Sequence, residues 1–415
     1  MKFISALLIF SIPFWSLPFI PGTYSAISPY LAGLLGFIFV FGSRVSFSID
    51  TVLYTLFFIF LLVSYSLYSI YVGHFNVIFL SAYVIGLLCY PGFYFSFRIL
   101  GKDKIRDYLL LLSRIVSIFA IIEFLMSKIG FLSHVKSLLT LILTGSAKQG
   151  FVLTTNELSW AVQLLLFASI FIYVNYKDRE NRFDFFLLFT NFLIILVSFS
   201  LTAISVLIIS LSFYYLVFRR VSLTNVLKFI IAVSVFVSVF IFIFKFWNQG
   251  GYTFSRISKL YDIELYDLKN AFYYIISVDN SLLVRIGYPF VAVNMIIDNP
   301  VGYGISGFSY YLKDYTDLIA TPTMYLSELP RHLENLNADP RNLILRLGVD
   351  FGIFGIFLFL CVFFSRVKIC SRLSRDKLLA TLLISLSFGA MMQFSTFYFF
   401  LYPFTIAYVT FLRDY

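Results

Sequence analysis

The chain has 415 residues, 60% of them hydrophobic and only 13% charged, with a formal net charge of +10 and a mean hydropathy of +0.92. A soluble domain carries about 25% charged residues, and surface-to-volume scaling leaves no soluble fold enough interior to hide this much apolar surface. The bilayer must act as its solvent, and the basic excess reads as a topology signal rather than a nucleic-acid footprint.

Met1 and Lys2 followed by an apolar run resemble a signal sequence, but no small-residue cleavage site follows, so the run reads as an uncleaved first helix. Apolar stretches then fall at about 3–20, 25–42, 51–72, 76–97, 107–128, 157–175, 185–201, 202–218, 227–246, 345–365, 377–394 and 396–412. The expected fold class is therefore an all-α polytopic membrane protein of about twelve transmembrane helices. Nine helices in residues 1–246 precede a large loop at 247–344, and three in 345–415 follow it.

Loop charge tests this count. Alternate connections carry Arg44; Arg98, Lys102, Lys104 and Arg106; Lys177, Arg179 and Arg182; Arg219 and Arg220; and Arg366, Lys368, Arg372, Arg375 and Lys377. The others include PGTYSAIS and VGHFN, which hold no Lys or Arg. By the positive-inside rule the first set is cytoplasmic, both termini are inside and the large loop is outside. That loop, about 98 residues, is too long for a plain connection, and loops of this size usually carry function. A smaller outward segment at 129–156 is expected to be partly re-entrant.

Aromatic residues make up 20% of the chain, chiefly Phe and Tyr. Lipid contact accounts for most of them, and sugar stacking by a few loop tyrosines is the alternative. Cys89, Cys361 and Cys370 form no CxxC, so neither a disulfide nor a zinc site is expected.

Charges inside spans are costly and functional by default. Arg114 either snorkels or acts in the bundle, and Glu123 pairs with a buried cation or lines a cavity. Glu157 is a dipole-complementing charge or a cavity carboxylate at the outer face. In the large loop, Leu282–Ile297 is nearly all apolar apart from Arg285, and is expected to form a helix on the outer membrane surface or capping the bundle. Arg285 there meets lipid headgroups or points into an outer cavity, where a guanidinium would hold phosphate oxygens bidentately. Gly302, Gly304 and Gly307 spell GxGxxG, but an NPV turn precedes them instead of a strand, so they read as a tight loop and not a dinucleotide site. Downstream, Arg341 and Arg346 are interfacial anchors or a cationic rim, with His332, Glu334 and Asp339 as nearby proton acceptors and Asn342 preceding or capping the tenth span.

At this point the chain resembles the O-antigen polymerases and the related O-antigen ligases. The layout of about twelve helices with a large outer loop before the last three is similar to theirs. The stretch from Arg285 through Asn299-Pro300-Val301-Gly302-Tyr303-Gly304 resembles the family's arginine-bearing loop helix and its glycine turn. Arg341-Asn342, nine residues, Gly352, two residues, Gly355 resembles the ligase pattern H-N-x9-G-x-x-G. Arg341 stands where the ligase histidine would be, which favours polymerase over ligase. In SFSLTAIS, residues 198–205, Leu201 stands where the family often has arginine.

The resemblance implies glycosyl transfer on the periplasmic face of a bacterial inner membrane, from an undecaprenyl-pyrophosphate-linked glycan to a second lipid-linked repeat unit. Arg285, Arg341, Arg256 and Arg346 would stabilise the pyrophosphate leaving group. His332, Glu334, Asp339 and Glu157, in that order, are candidate bases, and Asn342, Gly302 and Gly304 would shape the substrate site. No cofactor is expected; no P-loop or DxD-like pair is present in the outer loop, so metal independence is expected. Partners are the bilayer and lipid-linked glycans, with a chain-length regulator protein as a further candidate and no nucleic acid. The rivals are a lipid-linked glycan flippase or transporter, an O-antigen ligase, and a glycosyltransferase with a carboxylate in its first outer loop. PGTYSAIS lacks that carboxylate.

Overall fold

A computed structural model describes residues 1–14, 27–42, 49–144, 158–198, 200–219, 268–278, 282–319, 329–374, 376–395 and 399–414. Among them every regular element is helical. In chain order they are α1 (Lys2–Phe10), α2 (Ile27–Gly42), α3 (Ile49–Val72), α4 (Val77–Leu100), α5 (Lys102–Lys128), α6 (Gly130–Thr144), α7 (Leu158–Arg179), α8 (Arg182–Val197) and α9 (Leu201–Phe213). Then follow α10 (Leu268–Val278), α11 (Tyr288–Asp298), α12 (Gly307–Tyr311), α13 (Leu329–Asn335), α14 (Leu343–Arg372), α15 (Lys377–Met391) and α16 (Leu401–Asp414). Helix is the form that satisfies every backbone donor and acceptor without water.

Among the described residues, five helices are long and apolar enough to cross a membrane: Thr51–Val72, Val77–Leu100, Lys102–Ser127, Leu158–Arg179 and Leu343–Arg372. Ile27–Gly42, Thr202–Phe218 and Lys377–Met391 are shorter apolar helices. All eight fall on expected spans. The expected span at 227–246 lies outside the described residues, as do Glu157 and Arg256.

Small residues set the closest helix crossing. A Cβ on Gly36 would sit 1.9 Å from the Leu88 carbonyl oxygen, and one on Gly92 would sit 1.9 Å from that of Ala32. α2 and α4 therefore touch backbone to backbone, as small-xxx-small pairs allow in lipid. A second polar layer ties α5, α7 and α8. Arg114 donates to both carboxylate oxygens of the buried Asp184, at 2.8 and 2.9 Å, and Asn175 adds a bond of 2.6 Å to that carboxylate. Asn191 bridges Ser117 and Ser169 nearby. Arg114 thus acts within the bundle, and Glu123 pairs with the buried Lys136 of α6 at 3.2 Å. That pair fastens the segment expected to be re-entrant against α5.

Ion pairs also define one end of the bundle. Lys102 meets Asp376 at 2.5 Å and Arg106 meets Asp178, joining the α4–α5, α7–α8 and α14–α15 turns. This is the basic end. The opposite end carries the segment 299–319, whose backbone accepts hydrogen bonds from α3: Tyr65 to the Val301 carbonyl at 2.5 Å and Ser69 to that of Ile305 at 3.2 Å.

Candidate functional site

The loop end is built around a break in α14. Gly352 has φ +64 and ψ −161, a conformation essentially restricted to glycine, and it interrupts the helix nine residues after its start. A break in a membrane helix frees carbonyls before it and amides after it, and these must find partners. The Asn299–Gly304 turn supplies them. Tyr303 N donates to the Val349 carbonyl at 2.7 Å, Gly304 N to that of Asp350 at 3.1 Å, and Ile353 N to that of Pro300 at 3.0 Å. Gly302, at φ +103, approaches so closely that a Cβ there would lie 2.5 Å from Gly352 N. The turn holds its own shape through Asn299, whose side-chain amide donates to the Gly302 carbonyl at 2.9 Å. Two separate glycine patterns of the sequence thus form one backbone joint.

A buried polar chain runs from this joint. Tyr83 of α4 donates to Asp350 at 2.6 Å. Arg346, 5% exposed, lies one turn away, with its Nε 3.7 Å from Asp350, and it packs over the rings of Phe79 and Tyr83. Its Nη1 donates to the Ser395 carbonyl at 3.4 Å. The Ser395 hydroxyl donates to Asp339 at 2.5 Å, and Asp339 also accepts the Arg341 N–H at 2.8 Å with the Arg341 side chain at 3.8 Å. Burial alone would raise the Asp339 carboxyl, but Arg341, Ser395, Arg346 and the Arg341 N–H outweigh it and hold it below the ordinary carboxylate value. Arg341 itself sits at φ +49, uncommon for a non-glycine residue. Asn342 caps α14 by accepting from Leu345 N at 3.1 Å.

Above the break the loop has its own core, formed by Leu283, Tyr288, Val291, Met295, Phe308 and Leu312 and closed by Val349 of α14. The helix expected at 282–297 is observed as a π-helical turn, Leu283–Gly287, running into α11, which packs on α14. Arg285 lies half-buried in the π turn, a local geometry frequent at functional sites. Three residues on, the fully buried Tyr288 shares a hydrogen bond of 2.8 Å with His332 Nδ1 on α13. Tyr315 bonds both Tyr303 and Asp298, and burial, together with those two bonds, raises its phenol so that it remains a donor.

Hydropathy and motif reading did not single out Tyr83 or His74. Tyr83 has no local signal, because it lies 267 residues from Asp350. His74, 6% exposed, is ringed by Tyr68, Tyr310 and Tyr311, and neither of its ring nitrogens has a hydrogen-bond partner among the described residues. Beside the joint, Phe57, Phe60, Tyr65, Tyr68, Val301 and Phe354 line a cavity of about 530 Å³.

Residues 186–360 match the family model described as O-antigen ligase. This match is consistent with the O-antigen polymerase/ligase superfamily. The matched stretch contains the joint, Arg285, His332, Arg341 and Arg346, whereas Tyr83 and His74 lie outside it in the N-terminal part of the chain. No curated protein matches the chain.

Proposed function

We propose that the chain is an inner-membrane glycosyltransferase that polymerises undecaprenyl-pyrophosphate-linked repeat units at the loop end of the bundle, with that end periplasmic and both termini cytoplasmic in a twelve-span layout. The joint between the Asn299–Gly304 turn and the break at Gly352 carries this reading, because it unites both motifs that resemble the family. Arg285 and Arg341 would take up the charge developing on the pyrophosphate as the anomeric C–O bond breaks. The acceptor hydroxyl would lose its proton to His332. In the tautomer whose Nδ1–H donates to Tyr288, Nε2 would be the nitrogen that takes the proton. Asp339, held ionised by its neighbours, is a weaker base and a better counter-ion for Arg341. The cavity beside Phe57 and Phe354 is apolar and adjoins the joint, as a polyprenyl path would require.

The decisive assay supplies purified protein with lipid-linked repeat units and looks for longer chains. Arg285→Ala and Arg341→Ala should each abolish the surface-glycan ladder while membrane protein level stays normal; a normal ladder from both would remove these roles. The family description favours a second reading, ligation. Transfer of a preformed chain to a different acceptor glycan, without chain growth, would establish it. Lipid transport in vesicles without transfer would establish a flippase.

A further inference from the structure

Arg366 lies in α14, about 9 Å inside its basic end at the rise of an α-helix. By hydropathy it counts as a loop charge, yet it is 4% exposed. Its Nη2 donates weakly to the Thr51 hydroxyl at 3.4 Å, and among the described side chains its Nε has no hydrogen-bond partner and no carboxylate pairs with it. A desolvated guanidinium without a counter-ion is among the costliest groups a membrane protein can bury.

The same side chain lines a cavity of about 430 Å³ that is otherwise almost wholly apolar. Its walls come from α2, α3, α4, α14 and α16, and it extends from Arg366 past Leu358 and Gly355 to Leu347, on the far side of the break. Val40, Val52, Leu56 and Ile59 line it and are also exposed on the flank of the bundle, so it opens toward the lipid-facing surface. One cation at one end of an apolar groove that opens sideways is complementary to an amphiphile with an anionic head.

We infer that this groove binds an anionic glycerophospholipid from the leaflet at the basic end, its phosphodiester paired with Arg366 and an acyl chain lying along the groove. A polyprenyl substrate whose pyrophosphate is handled at Arg285 and Arg341 would hold it beyond Asp350, which is itself roughly 24 Å from Arg366 along α14, so the anion at Arg366 belongs to a different lipid. The site does not depend on the glycan chemistry assigned to the opposite end.

The test uses the full-length protein, delipidated in neutral detergent and titrated with phosphatidylglycerol or phosphatidylcholine, read by native mass spectrometry and thermal unfolding. Wild type should retain phosphatidylglycerol selectively and melt higher with it. Arg366→Met should lower phosphatidylglycerol affinity about tenfold or more, the scale of a lost charge-assisted bond. It should also melt higher than wild type in detergent alone, because a buried charge with no carboxylate partner among the described side chains is gone. Ile59→Trp keeps the guanidinium and fills the groove; it should lose phosphatidylglycerol retention too, and it decides the matter where Arg366→Met fails to fold. Equal binding of both lipids by wild type, unchanged selectivity in the variants, or selective retention of undecaprenyl phosphate instead would each overturn the inference.

Discussion

Arg114 grips Asp184 through two parallel bonds of 2.8 and 2.9 Å, whereas Arg346 reaches Asp350 only at 3.7 Å and leaves its Nη2 without a hydrogen-bond partner among the described residues. Both pairs lie inside the bundle, but they differ in closure. Around Arg114 and Asp184, Asn175 completes the shell, and the group fastens three helices. Around Arg346, aromatic faces and a long bond to the Ser395 carbonyl leave donor capacity unspent. A closed pair holds a fold together; an open one keeps a cation available for a ligand anion. The open pair lies at the break in α14, among the residues resembling the family motifs, and the closed pair lies far from them in sequence.

The joint itself should be the most fragile feature. Gly352→Val forces a branched side chain into a glycine-only conformation, within 2.3 Å of the Val301 carbonyl oxygen. Backbone strain of about 1–3 kcal/mol, plus three lost backbone bonds and the carbonyls they leave unpaired, totals about 5 kcal/mol or more. The expected outcome is release of the loop: rapid proteolysis within 282–319, loss of the glycan ladder, and an intact N-terminal fragment still held by its Arg114–Asp184 pair. A protected loop in this variant would show that the joint is not what seats it.

Much of the architecture was legible because hydropathy and loop charge are local properties. Eight described helices fall on spans that can be marked by eye. Gly302, Gly304, Gly352 and Gly355 stand out in the same way, since glycine patterns are visible in one dimension. That the two patterns meet was not legible, because the contact is made by backbone N–H and C=O groups, which every sequence carries. Tyr83 was hidden for a related reason: an aromatic in an apolar span looks like lipid contact until its hydroxyl is placed against Asp350. His74 sat in a short, uncharged connection, and only the folding of Tyr310 and Tyr311 over it marks it out. Arg366 was misread as a loop charge because α14 runs seven residues beyond the expected end at 365, which buries it.

The difference in closure has its own measure. Asp184→Ala removes one partner of a closed buried pair and should cost about 3–5 kcal/mol, seen as a large fall in the unfolding temperature in detergent. Asp350→Ala should cost less, about 1–3 kcal/mol, because Tyr83 loses an acceptor while Arg346 keeps its ring contacts and the Ser395 carbonyl. Double-mutant cycles with Arg114→Met and Arg346→Met separate the pair energies from the background: about 2–3 kcal/mol for the first pair and under about 1 kcal/mol for the second. Activity should invert that order, with Arg346→Met abolishing the ladder and Arg114→Met sparing it in proportion to surviving protein. Equal coupling in both cycles would erase the distinction between a closed and an open pair.

The smallest effect concerns the outer edge of the open region, where Asp339 links Arg341 to Ser395. Its carboxyl is held below its ordinary value of 3.8, so the folded state binds the proton less readily than the unfolded state does. The stability this contributes is therefore fully present above that ordinary value and is lost as pH falls through the lower, folded one. Asp339→Asn removes the titrating charge. The unfolding temperature of wild type should exceed that of Asp339→Asn throughout pH 5–8 by a constant small margin, worth about 1 kcal/mol for a half-buried pair, and the gap should begin to close only below about pH 4 and vanish below the depressed, folded value. No comparable pH-dependent gap is expected for Asn342→Ala, which removes a neutral cap one residue from Arg341. A margin that persists undiminished at low pH would mean that Asp339 acts through its shape and hydrogen bonds rather than its charge, and that Arg341 is held in place by something other than this carboxylate.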